Sequence, residues 1–596
     1  MVVGPGPGSP IIDKDIGVIK HLWTMAEVMT IPIFGVCLGL QSLGTAYGAK
    51  LRRLHTVKHG QVSTIRHTGR DIFRAIGSIQ GVRYHSLYIE FTSSTEIEEL
   101  AWADDDENGQ VLMGCKHKYR PFWAVQYHPE SVLTNNAGAQ VMQNFWKLSQ
   151  QWSAINARKP RPWDARLRCV GDLWPPSSRI RTHPHISQPK RRVKTIIVSA
   201  PHLTPISICE LLGVNEETEP FVLLDSAASP GRFSIVAALL PASLHITYSL
   251  GDDTVTLKEG QSKIGKEALG THDIWSWLAK FMHIRRAWGG DPHVPFWGGL
   301  IGYLSYELGA SSLQVPIHRN TESMHRHPDV NLILVERSIV LDSWNGVVYV
   351  QSLLQSDDAW LSEMADKIEH IAFDGNALAL PTSQFANCSP AIVKLPDRER
   401  YLSRIHRAKD WLYSGDSYEL CLTAHTHVTA ASLATGPRNS SSWERYKLLR
   451  RLNPAPHAAY FRLHPSTLIS SSPERFLSFT RAPSTVCQLR PIKGTVKKAP
   501  GIARADAERA LVGSNKEVAE NLMIVDLIRH DLHSVVGDQV QVKQFCSVEE
   551  YETVWQLVSV IEGKDNSRLD YEGLGLDVLR RSLPPGMRKV AATHQH

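Results

Sequence analysis

The pattern of apolar and polar positions predicts a layered α/β arrangement in the first 150 residues. Ile31–Val36 is a short, nearly continuous apolar run, which is typical of a strand covered on both faces. Leucines then recur at helical spacing until Gly48 ends the pattern. The elements predicted here are strands at Ile31–Val36 and Phe122–Tyr127, and helices at Leu38–Tyr47 and Ala137–Leu148.

A second globular region is predicted from Thr195 onward, with strands and helices that do not alternate regularly. The predicted strands are Phe221–Leu224, Ser338–Leu341 and Gly346–Val350, and the predicted amphipathic helices are Arg398–Ser414 and Lys516–Ile528.

Two stretches without apolar periodicity divide the chain. Residues 151–194 are rich in proline and are predicted to be a linker. Residues 373–396 are rich in Pro, Ser and Asn and are predicted to be a loop. The predicted domains are therefore 1–150, 195–372 and 395–596, with the linker at 151–194.

Composition is that of a soluble globular protein, with 596 residues, 42% apolar and 21% charged. No apolar run is long enough to cross a bilayer, and Met1–Pro10 lacks the pattern of a secretory signal. The eight cysteines are scattered without a CxxC pair, which favours a reducing compartment, and we expect the cytoplasm.

The net charge of +6 has one dense basic cluster, between Arg158 and Lys194. It holds eleven Lys and Arg residues against two Asp. A solvated basic linker is the favoured interpretation, and a tether for nucleic acid or a membrane is the alternative. We therefore expect neither a nucleic-acid partner nor a membrane partner.

Cys37 lies where a predicted strand meets a predicted helix, in Gly35-Val-Cys-Leu-Gly-Leu-Gln41. A helix N-terminus stabilises a thiolate, and the amide of Leu38 could donate to an oxyanion. After the strand at Phe122–Tyr127, His128 could act as the base and Glu130 could orient it. The alternative is a buried structural cysteine and an unrelated surface histidine.

A second set of candidate residues lies near the C-terminal end. Glu517 and Glu520 are three residues apart on one predicted helix, where their oxygens could bind Mg²⁺. Lys493, in Pro491-Ile-Lys-Gly-Thr495, could act as a nucleophile in a partly apolar setting. The alternatives are a solvated helix face and a surface lysine.

The N-terminal motifs resemble those of class I glutamine amidotransferases. The resemblance rests on GVCLGLQ at 35–41 and YHPES at 127–131, with further matches at Val57–Gly60 and Arg83–Leu87. It implies that Cys37 is the nucleophile, His128 the general base and Glu130 its partner. It also implies that glutamine is bound by Gly6, Gly8, Leu38, Gln41, Ser86 and Leu87, with the 6–10 loop giving a second oxyanion amide.

Residues from about 195 to 586 resemble the chorismate-utilising synthases. The resemblance rests on GGLIGYLSYE at 298–307, SPERF at 472–476, PIKGT at 491–495 and AENLMIVDLIRHDL at 519–532. Within this family, anthranilate synthases resemble PIAGT where aminodeoxychorismate synthases carry PIKGT. The lysine therefore implies covalent attack at C2 of chorismate and amination at C4. The resemblance further implies that Glu474 and Thr495 lie at the substrate and that Glu520, with its neighbour Glu517, binds Mg²⁺.

Together the resemblances predict an α/β class I glutamine amidotransferase domain followed by an α+β, anthranilate synthase component I-like fold. The implied reaction converts chorismate and glutamine to 4-amino-4-deoxychorismate and glutamate, for p-aminobenzoate and folate synthesis. Both activities would lie on one chain without a separate glutaminase subunit. Anthranilate synthase is the first alternative, although both Lys493 and Gln556 favour aminodeoxychorismate synthesis over it.

A shortened, non-catalytic form of the same fusion is the second alternative. Family members have a strand and helix before the Gly6 loop and further C-terminal motifs after Pro585-Gly586, whereas the chain starts near the loop and ends at His596. On this basis we expect an N-terminal strand to be missing from the sheet. We also expect the C-terminal part of the chorismate site to be incomplete and turnover to be low.

Overall fold

The computed structural model describes residues 1–91, 96–158, 191–260, 262–270, 272–311, 327–373, 392–417, 419–429, 441–481, 485–564 and 573–584. The predicted basic linker falls largely on residues outside these ranges, as do most of the predicted loop at 373–396 and the C-terminal residues 585–596. Within the described ranges, no helix has the length and apolar character needed to cross a membrane.

The N-terminal part forms one seven-stranded sheet in the order β1-β2-β7-β6-β5-β3-β4. Its strands are β1 (Val2–Val3), β2 (Ile33–Val36), β3 (Lys50–His67), β4 (Ile79–Glu90), β5 (Ile97–Asp105), β6 (Gly109–His117) and β7 (Phe122–Val125). Its helices are α1 (Asp13–Ile16), α2 (Ile19–Trp23), α3 (Leu38–Ala46) and α4 (Ala137–Ile155).

The central strands β2 and β7 are parallel and buried at every position, which confirms their prediction from apolar runs. Helices α3 and α4 cover opposite faces of the sheet. Leu40 of α3 packs in the cluster around Phe122, whereas Val141 of α4 packs in the cluster around Phe34. The short strand β1 lies at one edge of this sheet and pairs in parallel with β2.

The middle of the chain supplies strands to two large sheets. The strands are β8 (Arg191–Arg192), β9 (Lys194–Ser199), β10 (Phe221–Asp225), β11 (Phe233–Ala237), β12 (Leu244–Tyr248), β13 (Thr254–Glu259), β14 (Ser262–Ala268), β15 (Ala287–Trp288), β16 (Gly299–Leu304), β17 (Val330–Val335), β18 (Arg337–Asp342) and β19 (Val347–Ser352). The helices are α5 (Pro205–Leu211), α6 (Ile274–Ile284), α7 (Tyr306–Ser311) and α8 (Asp358–Phe373).

The C-terminal part completes one of these sheets and forms another. Its strands are β20 (Ile392–Lys394), β21 (His427–Thr429), β22 (His457–Leu463), β23 (Ser466–Ser472), β24 (Leu477–Phe479), β25 (Val486–Leu489), β26 (Ile492–Lys497), β27 (Val540–Glu550) and β28 (Val554–Lys564). Its helices are α9 (Arg398–Ser414), α10 (Ser442–Leu452), α11 (Arg504–Leu511), α12 (Asn515–Val536) and α13 (Leu574–Ser582).

The predicted boundary between residues 372 and 395 does not separate two sheets. Strands β22 and β23 extend the sheet β23-β22-β10-β11-β18-β19-β9, with Leu223 of β10 opposite Tyr460 of β22. The second sheet, β14-β13-β12-β17-β16, packs on this one through a shared apolar cluster that includes Val222 and Ile333. The two predicted regions are therefore interleaved, because strands distant in the chain pair with one another.

Strands β24 to β28 and helix α12 form the layer that positions the second candidate site. The sheet has the order β24-β25-β28-β26, and β27 also pairs with β28. Val525 and Leu532 of α12 are buried against Leu489 and Ile561 of this sheet. Helix α9 has the predicted bounds, whereas α4 and α12 continue beyond their predicted ends to Ile155 and Val536.

Candidate active sites

Cys37 occupies a sharp turn between β2 and α3. Its φ of 55° and ψ of −102° are outside the regions that side chains ordinarily favour. A Cβ at Gly35 would lie 2.9 Å from the carbonyl oxygen of Gly39, and a Cβ at Gly39 would lie 2.8 Å from the carbonyl oxygen of Val3. The flanking glycines of the motif are therefore required by close backbone approach.

His128 and Glu130 form the pair that the sequence predicts. Nδ1 of His128 lies 2.9 Å from Oε1 of Glu130. Nε2 of His128 is buried and has no hydrogen-bond partner among the described residues, so it is available to the thiol. Burial lowers the pKa of His128, but Cys37 and Glu130 raise it more strongly, to about 10. This arrangement favours an imidazolium beside the Cys37 sulfur.

Replacing Glu130 with glutamine should move the alkaline limit of glutamine hydrolysis to lower pH. The Glu130 carboxylate raises the pKa of His128, so the imidazolium persists to about pH 10. Without this carboxylate the imidazolium loses its proton at lower pH. We expect kcat for glutamine to fall by about 10- to 100-fold. The pH profile of kcat/KM for glutamine measures the shift. Glu90→Gln, at an exposed ion pair with Arg52, is the matched control, and an unshifted profile in Glu130→Gln would contradict the assignment.

A cavity of about 640 Å³ opens beside the thiol and is shared by the two halves of the chain. Of the residues predicted to bind glutamine, those that line the cavity are Gly6, Gly8, Gln41, Ser86 and Leu87. Leu38 does not line it, because its side chain packs beneath the loop, where a Cβ at Gly6 would lie 3.2 Å from its Cδ2. Gln41 Nε2 donates to the Leu87 carbonyl over 2.8 Å, which fixes the cavity wall.

Two of the predicted glutamine ligands also contact the synthase half. The Gly8 amide donates to the Gly415 carbonyl over 3.0 Å, so in this conformation it does not point at the thiol as a second oxyanion donor. The Ser86 hydroxyl donates to the Leu412 carbonyl over 2.6 Å. Both acceptors lie at the C-terminal end of α9, which therefore docks on the glutamine cavity.

Lys493 lies on a bulge of β26. The register with β28 shifts between Ile492 and Thr495, and Gly494 adopts a φ of 83°. A β-bulge changes the direction of its side chain relative to the regular hydrogen-bonded strand pair. The Lys493 Nζ lies 3.2 Å from Oε1 of Glu419, whose other carboxylate oxygen is buried without a hydrogen bond in the described structure.

Glu474 lies on the other side of this turn. Its Oε1 accepts a long, 3.4 Å hydrogen bond from the Ile492 amide. Burial raises the pKa of Glu474, while the Ile492 amide and Lys493 oppose the shift. Thr495 is also nearby, and its hydroxyl accepts from Gln556 Nε2 over 3.3 Å. Lys493, Glu474 and Thr495 are thus brought together, as predicted.

Glu517 lies close to the same turn, in the first turn of α12. A Cβ at Gly494 would lie 2.8 Å from Oε2 of Glu517, so glycine leaves room for this carboxylate. Glu520 lies one turn further along, and its Oε1 is 3.7 Å from Lys516 Nζ. Among the described residues, no three His, Cys, Asp or Glu side chains converge as a metal site. The two glutamates alone suit Mg²⁺, which often takes one or two carboxylates and completes its shell with water and substrate oxygens.

Sequence reasoning missed residues that connect the sites. Glu419 was not singled out, because its role depends on contact with Lys493, distant in the chain. Tyr84 lay inside a matched motif but received no role, although its ring packs edge-on against His128 with centroids 4.9 Å apart. Asp526 lay inside another matched motif, and its side chain reaches the glutaminase half. Only tertiary structure reveals these contacts.

Comparison with known proteins also divides the chain into a glutaminase half and a synthase half. Residues 1–148 match the glutamine amidotransferase class-I family, and residues 225–587 match the chorismate binding enzyme family. Aminodeoxychorismate synthase from Saccharomyces cerevisiae is 34% identical over 648 residues, covering 98% of this chain and 78% of the relative. Aminodeoxychorismate synthase from Streptomyces griseus is 32% identical over 606 residues, covering 98% and 77%.

The chain belongs to the aminodeoxychorismate synthase family. This confirms the predicted succession of a class I glutamine amidotransferase domain and a chorismate-binding fold on one chain. It also confirms the predicted enzyme, which uses glutamine and chorismate, and supports it over the anthranilate synthase alternative. Among solved structures, anthranilate synthase component I from Streptococcus pneumoniae TIGR4 aligns with 23% identity, a TM-score of 0.45 and coverage of 66% of this chain and 83% of that chain.

Proposed function

We propose that the chain hydrolyses glutamine at Cys37 and uses the ammonia to form 4-amino-4-deoxychorismate at Lys493. The observation that carries this proposal is the lysine of PIKGT on its bulge, with Glu419 3.2 Å from its Nζ and Glu474 bonded to the neighbouring Ile492 amide. We further propose that the product serves p-aminobenzoate and folate synthesis in the reducing cytoplasm. Free thiols at the described cysteines Cys37, Cys115, Cys209, Cys421, Cys487 and Cys546 fit that compartment.

The glutaminase step begins with the Cys37 thiolate attacking the side-chain carbonyl of glutamine. His128, kept protonated by Cys37 and Glu130, donates a proton to the departing ammonia. The resulting thioester is hydrolysed by water, with His128 now acting as base. The strained turn at Cys37 presents the thiol at the start of α3, where the helix N-terminus favours negative charge.

The synthase step begins when Lys493 loses a proton, for which Glu419 is the nearest acceptor. The amine attacks C2 of chorismate, the ring double bonds shift, and the 4-hydroxyl leaves. Burial raises the pKa of Glu474, so this residue is suited to donate the proton with which the 4-hydroxyl leaves as water. Ammonia then adds at C4, and the bond from C2 to Lys493 breaks as the double bonds shift back.

We propose that Glu517 and Glu520 hold Mg²⁺ beside this turn. The ion would supply positive charge for a carboxylate of chorismate. The placement is supported by Glu517 Oε2, which lies where a Cβ at Gly494 would clash. Both glutamates lie on the first two turns of α12, so a single rigid element would position the metal relative to Lys493.

Replacing Glu520 with alanine should weaken Mg²⁺-dependent chorismate turnover. Removal of one of two carboxylates leaves the cation with poorer ligation, so we expect the Mg²⁺ concentration for half-maximal rate to rise by about 10- to 100-fold. Magnesium titration of the ammonia-dependent rate measures this. Glu508→Gln, at an exposed pair with Arg504 on α11, is the control. An unchanged magnesium dependence in Glu520→Ala would show that the residue is not a ligand.

A stoichiometric measurement tests the combined function. With glutamine, chorismate and Mg²⁺ present, glutamate and aminodeoxychorismate should appear in equal amounts. The shared cavity predicts this because Cys37 and the synthase residues Ser417 and Met523 all line it. Glutamate release with no aminated chorismate would contradict the proposed transfer of ammonia.

A further inference from the structure

Asp526 of α12 binds the glutaminase half through several donors at once. Its Oδ2 accepts from the Tyr84 hydroxyl over 3.0 Å and from the Ser131 hydroxyl, and its Oδ1 accepts from the Val132 amide over 3.1 Å. Arg529, one turn further along α12, donates to Asp526 Oδ1 over 2.9 Å. The Asp526 side chain is only 17% exposed, so water competes little for these bonds.

The donors surround the catalytic residues of the glutaminase. Ser131 directly follows Glu130, and Arg529 Nη1 also donates to the Glu130 carbonyl over 3.2 Å. Tyr84 packs its ring edge-on against the His128 ring, and its carbonyl oxygen lies 3.8 Å from the Cys37 sulfur. One synthase carboxylate therefore binds both the loop that carries Glu130 and Tyr84, which contacts His128 through its ring and Cys37 through its carbonyl oxygen.

From this geometry we infer that Asp526 is a positioning residue for the glutaminase, supplied by the synthase half. It keeps the loop at 130–132 and the Tyr84 ring in place, so that Glu130 can hold His128 as an imidazolium. The inference rests on the proposed roles of Cys37, His128 and Glu130. It also links the two activities, because the helix that carries Asp526 begins with the proposed magnesium ligands Glu517 and Glu520.

The alternative is that Asp526 only holds the two halves together. A docking role would leave glutamate release and its pH profile unchanged and would lower only glutamine-dependent amination, because ammonia would no longer pass between the halves. A positioning role affects glutamine hydrolysis alone and changes its pH dependence. The two can therefore be separated by measuring both reactions in the same variant.

Replacing Asp526 with asparagine keeps the shape of the side chain but removes its charge and one acceptor. We expect kcat for glutamine hydrolysis to fall by about 10- to 100-fold, with little change in KM. The upper pH limit of glutamine hydrolysis should move to lower pH, because Glu130 is then less well placed to keep His128 protonated. Ammonia-dependent amination should stay within about twofold of the parent rate, since Asp526 is not among the proposed chorismate-site residues.

Tyr84→Phe provides a milder second variant, which keeps the ring against His128 and removes the hydroxyl that donates to Asp526. It should lower the rate of glutamine hydrolysis by about three- to tenfold, because one hydrogen bond to a charged acceptor is lost. Glu552→Gln, at an exposed position outside both sites, is the matched control for loss of a carboxylate.

Unchanged glutamine hydrolysis in both Asp526→Asn and Tyr84→Phe would overturn the inference. An equal loss of both reactions would also overturn it, because Asp526 would then be needed for the fold of the synthase layer. Failure of the proposed function gives a different result, because glutamine use would then survive in Cys37→Ala whatever the behaviour of Asp526→Asn.

Discussion

Cys37→Ala should abolish glutamine-dependent amination of chorismate while ammonia-dependent amination survives. The thiol is the attacking atom of the proposed glutaminase, and no described residue beside His128 offers a replacement nucleophile at the strained turn. Loss of a catalytic nucleophile costs about a thousandfold or more in kcat. The measurement compares amination rates with glutamine and with ammonium chloride in parent and variant.

Cys421→Ala is the matched control for Cys37→Ala, because Cys421 is a free thiol that is exposed to solvent. This control should keep both rates. Glutamine-dependent amination at the parent rate in Cys37→Ala would contradict the assignment of the nucleophile. Loss of both rates would mean that Cys37 also supports the synthase half, which the proposed division of labour does not allow.

Lys493→Ala should remove aminodeoxychorismate formation by about a thousandfold, because the covalent route through the lysine amine is lost. We also expect a small amount of anthranilate, since the side chain no longer blocks ammonia from C2. Incubation of the parent protein with chorismate and Mg²⁺ without an ammonia source should accumulate an adduct. Its mass is that of the protein plus chorismate minus one water, and the variant should lack it.

Lys497→Ala is the control for Lys493→Ala, since Lys497 lies on the same strand and is exposed. It should retain the adduct and the product. An adduct of the same mass in Lys493→Ala would show that another residue attacks chorismate. Glu419→Gln should slow adduct formation if Glu419 takes the proton from Lys493, as their 3.2 Å separation suggests.

The elements around the glutaminase site could be predicted because local pattern decides them. The run at Ile33–Val36 is buried on both faces, and helix α3 begins directly after Cys37. The interleaving of β22 with β10 could not be predicted, because their residues are more than 200 positions apart and each strand alone only shows that it is buried. Helix ends were also underestimated, since α12 continues to Val536 on tertiary packing.

The residues of the candidate sites likewise include some that the sequence could predict and some that it could not. Cys37, His128 and Lys493 were predicted from sequence motifs; the structure places Cys37 on the expected turn and pairs His128 with Glu130, whereas the bulge that carries Lys493 was not predicted. The side chain of Leu38 packs beneath the Gly6 loop, whereas its amide, which was predicted to be an oxyanion donor, follows Cys37 at the start of α3. Asp526 escaped prediction because it acts across the junction between halves, and an aspartate within a helix gives no local indication of a distant partner.

The most direct test of the central claim is the identity of the product formed from chorismate, Mg²⁺ and glutamine. Mass spectrometry and fluorescence distinguish 4-amino-4-deoxychorismate, which retains the enolpyruvyl group, from anthranilate, which has lost it. Lys493 on the PIKGT bulge and Gln556 buried beside Thr495 predict 4-amino-4-deoxychorismate as the main product. Anthranilate as the main product would contradict the account.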